Sequence, residues 1–98
     1  MPAIHELRGI QRDLLFIISG LAEPNGQEIR AEMERSLTGD VQQGRIYSNL
    51  DDLVEEGFVE KGHQNGRTNC YTLTERGLAV IESRHEWERR YLDAPDPS

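Results

Sequence analysis

The sequence is poor in several things on which small proteins often rely. It has one cysteine, Cys70, so an intramolecular disulfide or a cysteine-based zinc cage is excluded. The strand-like neighbours Asn69 and Tyr71 make Cys70 a small buried residue. Lysine is almost missing: Lys61 is the one lysine among 11 basic residues. The longest apolar run, Leu14 to Ile18, falls far short of the roughly 20 residues that cross a bilayer. No basic segment followed by an apolar one opens the chain, so no signal peptide is read and a cytoplasmic protein with no membrane partner is expected. His5, His63 and His85 share no ligand spacing with Cys70 or with one another, which leaves no metal site. A Ser-His-Asp set, a glycine-rich phosphate loop and a carboxylate pair in a pocket are all lacking. The expectation is therefore a non-enzyme with no catalytic residue and no cofactor.

What is present is charge. The 98 residues, enough for a single domain, carry 18 Asp and Glu against 11 Lys and Arg, a net charge of −7. Mean hydropathy is −0.69. Acid-rich, lysine-poor composition suits a salty cytosol, where screening relieves self-repulsion and carboxylates hold water. A chain this short buries a modest core, so association would help it.

Periodicity divides the chain. From Ile4 to Ala22, Leu7, Ile10, Leu14, Ile17 and Leu21 fall at helical spacing, with Leu15 and Ile18 beside them; this is a wide apolar face. Glu23-Pro24-Asn25-Gly26 ends that helix. Asn25 then caps a second one, with Glu28 reaching back and Ile29, Met33 and Leu37 as a narrow stripe. Thr38-Gly39-Asp40 is a turn. In a third helix Ile46, Leu50, Leu53 and Val54 face inward, and Gly57 stands at its end. Phe58–Lys61 and Cys70–Leu73 read as strands of a hairpin. Thr74-Glu75-Arg76 opens a last helix reaching about Leu92, and residues 93–98 form a frayed tail. The fold class is mainly α with a small β-hairpin: a winged helix-turn-helix over residues 4–73, with the wing at 58–73, and an extended C-terminal dimerisation helix over 74–92.

Two polar windows contain no acid: Val41 to Leu50 and Lys61 to Thr74. They coincide with the recognition helix and the wing, where a carboxylate would be repelled by phosphate. On the helix, Gln42, Gln43, Gly44, Arg45, Tyr47, Ser48 and Asn49 are the candidate contacts to double-stranded DNA. Gln and Asn suit adenine, and Arg suits guanine or phosphate. On the wing, Lys61, His63, Arg67, Thr68 and Asn69 supply donors for phosphate oxygens. Asp51-Asp52 and Glu55-Glu56 are solvated helix faces. A winged-helix module for protein contact would suit the negative charge, and an RNA-binding winged helix is a third reading. A protein-contact module gives no reason to exclude acids from these two windows.

The stretch Gly44 to Val59 resembles the recognition-helix signature of the PadR-like transcriptional regulators, and Gly66 to Gly77 resembles their wing and following helix. Arg12-Asp13-Leu14-Leu15 and Pro24 to Ile29 are similar to haloarchaeal members. The resemblance implies a dimeric DNA-binding regulator, usually a repressor, with Tyr47 and Arg67 at signature positions. Larger members carry a multi-helix C-terminal domain, whereas one helix follows the wing here. On the last helix Val80, Arg84, Trp87, Tyr91 and Leu92 form a stripe that would stay wet in a monomer. Together with Leu7, Ile10 and Leu14 it is the expected homodimer interface. Some small members of the resembling family have aromatic-lined interfaces, which would make the surroundings of Trp87 the place for an apolar planar effector; the sequence itself assigns none.

Overall fold

The computed structural model describes residues 7–36, 43–64 and 68–92. The elements run α1 (Gly9–Gly20), α2 (Gly26–Ser36), α3 (Gln43–Glu55), β1 (Val59–Gln64), β2 (Thr68–Leu73) and α4 (Glu75–Leu92). The expected turn at Thr38–Asp40, with Leu37 before it, and the tail at 93–98 lie outside the described residues.

α1 is shorter than its apolar pattern. It starts at Gly9, where the Gln11 side chain accepts the Arg8 N–H at 3.2 Å, and Leu21 is already extended. Glu23 then takes a left-handed φ of 44° and buried Pro24 follows. The Pro24 carbonyl accepts the Tyr71 N–H at 2.9 Å, and Asn25 bridges Cys70, so this turn is pinned to β2. Asn25 caps α2 as its sequence suggests: its Oδ1 accepts the Glu28 N–H at 2.8 Å, and the Glu28 carboxylate accepts the Asn25 N–H at 3.0 Å.

α3 ends in a Schellman turn. Phe58 N–H donates to the Leu53 carbonyl at 3.0 Å and Gly57 N–H to Val54 at 3.1 Å, with Gly57 at a φ of 84°. The hairpin pairs antiparallel from Val59–Leu73 to Gln64–Thr68, longer at its tip than the apolar residues alone indicate. Thr74 then roots α4. Its hydroxyl accepts the Gly77 N–H at 3.1 Å and donates to the Gly57 carbonyl at 2.7 Å. Arg76 lies 4.4 Å over the Phe58 ring and donates to the Glu56 carbonyl, tying the same corner.

The core lies between the helices and the hairpin: Leu14, Leu15 and Ile18 from α1, Ile29 and Met33 from α2, Ile46, Leu50 and Leu53 from α3, then Phe58, Val59, Tyr71 and Ile81. Cys70 is free and buried, as expected of it. Two residues assigned to a dimer surface belong here instead. Leu14 and Leu7 are buried, because the wide face of α1 is spent largely on its own domain. Leu78, by contrast, is 43% exposed. The face of α4 that meets the domain runs through Gly77 and Ile81, and Leu78 is turned about 100° from Gly77 around the helix.

Candidate nucleic-acid interface

α3 carries Gly44, Arg45 and Ser48 on its exposed side, with Ile46, Leu50 and Leu53 fully covered on the other. Its first turn contains no acid. Gln43 is the first residue of the helix, and Gln42 lies outside the described residues. Asn49 is not a surface donor. It is only 3% exposed, and its Nδ2 donates to the Arg45 carbonyl at 2.8 Å, an oxygen that also accepts the Ser48 hydroxyl at 3.3 Å. Asn49 sits three residues after Ile46 and four before Leu53, so helical spacing carries it toward the covered side.

On the wing, Lys61 and Asn69 are exposed. His63 stands opposite Asn69 and Gln64 opposite Thr68. Arg67 lies outside the described residues. Charge pairing follows the same division. Ion pairs among the described residues include Arg30–Glu34, Arg35–Glu32, Arg84–Glu88 and Arg90–Glu86, each within α2 or α4. Neither Arg45 nor Lys61 is engaged in one of them.

Tyr47 is half-buried and does more than line an outer face. Its ring packs on Gly26 so tightly that a Cβ there would stand 2.6 Å from Cε1 and 3.0 Å from the hydroxyl. A crevice of about 460 Å³ opens at this contact. Asn25, Gly26 and Gln27 form the wall from α2, Tyr47 and Asp51 the wall from α3, and Lys61, Asn69 and Tyr71 the wall from the hairpin. Burial, then the Asp51 carboxylate, then Tyr47 raise the Tyr71 phenol above its ordinary pKa of 10.0, so it is held protonated. Gln27, Asp51 and Tyr71 were not apparent as site residues from sequence, because three elements distant along the chain must fold before they converge.

α4 leaves the domain after Ile81, and no described residue beyond it is buried. Val80 is half-buried against the core. The Arg84 guanidinium lies 4.5 Å over the Trp87 ring, and Trp87 meets Tyr91 edge-on at 5.0 Å. Tyr91 and Leu92 are exposed, and Ile10 on α1 is half-covered. Among the described residues no helix is long and apolar enough to cross a membrane.

Comparison with known proteins gives a consistent result. The model of the transcriptional regulator PadR-like family matches residues 14–83. The complex structure of hsRosR-S1 is 35% identical, with a TM-score of 0.85 over 94% of this chain and 81% of that one. RosR of H. salinarum, in a structure grown from NaBr, is 35% identical with a TM-score of 0.84, covering 93% and 82% respectively. A mutant MarR from E. coli, complexed with operator DNA, is 25% identical with a TM-score of 0.75, covering 91% and 61%. The comparison with curated proteins gives no match. With the family model spanning most of the chain and the four-helix, one-hairpin architecture shared with these regulators, the protein belongs to the PadR-like family of transcriptional regulators.

Proposed function

We propose that the protein is a sequence-specific DNA-binding regulator, a repressor that binds a palindromic site as a homodimer through α3 and the wing. One observation carries this reading. The exposed cations Arg45 and Lys61 lie on acid-free stretches, while Arg30, Arg35, Arg84 and Arg90 pair with carboxylates on α2 and α4. Such a division spares phosphate the repulsion of a carboxylate, and leaves Arg45 to present its planar fork to a base edge or a phosphate. The likeness to a MarR complexed with operator DNA supports the same use of the fold.

Within this reading Arg45 and Gln43 read bases, and Lys61 and Arg67 hold phosphates. Arg45→Ala is expected to lose about 1–3 kcal/mol on the best duplex and to relax base preference there, whereas Lys61→Ala weakens all duplexes alike. Selection of bound duplexes from a random pool, followed by titration of both variants on selected and scrambled DNA, measures this. Equal losses on both DNAs for both variants would contradict the division of roles.

A further inference from the structure

The first turn of α3 is weak by the standards of its own residues. It holds no acid to meet the positive end of the helix dipole. Its second residue is Gly44, a poor helix former. A Cβ at Gly44 would find no packing neighbour within 4 Å, so no other element braces the turn there. Yet Arg45, the next residue, is the exposed cation on this helix end.

What holds the turn comes from the buried side. Helix geometry already gives the Arg45 carbonyl one donor, the Asn49 backbone N–H. The Asn49 Nδ2 donates to the same oxygen at 2.8 Å, and the Ser48 hydroxyl adds a weaker bond at 3.3 Å. Asn49 lies on the covered side with Ile46 and Leu53, and its Oδ1 is buried with no hydrogen-bond partner among the described residues. An acceptor buried in that way costs stability, which an apolar side chain of similar size would avoid. Asn also competes with the helix for backbone bonds and is a poor interior residue. Packing and propensity thus both favour an apolar residue at 49. What the amide supplies instead is a second fastening of the Arg45 peptide.

We propose that Asn49 is a positioning residue for base recognition. It pins the first turn of α3 from inside the domain, in place of the acidic side chains that a helix end facing phosphate cannot carry. The Arg45 backbone is thereby fixed, and its guanidinium starts from one defined place. The proposal rests on the DNA-binding reading above and deepens it, since Asn49 sets specificity without touching DNA.

Asn49→Leu tests this on the free protein and on DNA. In the free protein, the amide protons of residues 47, 48 and 49, which close the first turns of α3, exchange about tenfold faster relative to those of α1. The thermal midpoint stays at or above that of the wild type. On DNA, discrimination between a selected duplex and one altered at the base read by Arg45 falls several-fold, with affinity for scrambled DNA unchanged. In an Arg45→Ala background the same substitution lowers discrimination no further, because it acts through Arg45. Asn49→Ala, which cannot overpack, repeats the exchange and discrimination measurements. Wild-type exchange at 47–49 or wild-type discrimination in both variants would overturn the proposal. So would a further loss of discrimination in the Arg45→Ala background. A lower midpoint in both variants, with exchange quickened evenly through all helices, would make Asn49 a plain core residue and overturn it too. A wild-type protein that selects no duplex would instead remove the DNA-binding reading, and with it the role in specificity. Exchange in the free protein would still decide whether Asn49 fastens the turn.

Discussion

Gly77 decides how closely α4 can approach the rest of the domain. A Cβ at this position would stand 2.1 Å from the Phe58 carbonyl oxygen and 3.1 Å from its carbon. That oxygen is itself held, since it accepts the Thr74 N–H at 3.1 Å. Helix propensity alone favours alanine over glycine by about 1 kcal/mol. A clash with fixed backbone outweighs this, and Gly77→Ala is expected to lose about 1–3 kcal/mol net, read as a lower thermal midpoint. An unchanged or higher midpoint would mean that β1 gives way. Asn49 shows the opposite side of residue-level reading. Its polar side chain suggested a base contact, but its place three residues beyond Ile46 turns it to the covered side, where it bonds its own helix. Residue type was legible there and residue direction was not.

At the level of elements much more was legible. The cap at Asn25, the glycine stop at Gly57 and the start of α4 after Thr74 follow local rules that need no tertiary knowledge. Helix order and the hairpin followed from the change of apolar period. The bond from Tyr71 to Pro24 was not legible, because it joins backbone groups far apart in sequence whose side chains carry no trace of it. The crevice stayed hidden for the same reason. The far half of α4 was the clearest signal of all: its apolar stripe exceeds what a single domain can cover, and Trp87, Tyr91 and Leu92 are indeed exposed. We expect Trp87→Ala to weaken dimerisation and, through it, affinity for a two-half-site duplex, with little effect on a single half-site. Light scattering together with titration on both duplexes measures this. A compact monomer that binds the full site tightly would exclude the dimer reading.

The whole molecule carries a net charge of −7, and on the proposed function it approaches a polyanion. For an ordinary protein that neutralises Z phosphates, log affinity falls against log salt with a slope of about −0.9Z. Near 1 M salt the Debye length is about 3 Å, and attraction between distant charges is lost. A chain with Lys61 as its one lysine and short polar groups on α3 depends on close hydrogen bonds and shape instead. Asp51 and Asp52 are exposed beside the proposed interface, and cation uptake by such carboxylates on approach to phosphate is expected to offset the release of others. The expected outcome is a shallow salt slope, with folding and dimerisation strengthened as KCl rises toward molar. A steep loss of affinity with no gain in stability would identify an ordinary acidic protein.

α4 is held against the domain at one end and exposed at the other. Thr74, Gly77 and the Arg76–Phe58 contact clamp its first turn, while no described residue after Ile81 is buried. Mechanically it is a cantilever. An 18-residue helix is about 27 Å long, so a tilt of about 10° at the clamp moves its tip by about 5 Å. In a two-fold pair joined through that tip, the clamp sets the distance between the two α3 helices, which must match one DNA turn of about 34–36 Å. In such a pair, the spacing at which two half-sites can be read together would be governed by a corner of the fold remote from both α3 and the tip of α4.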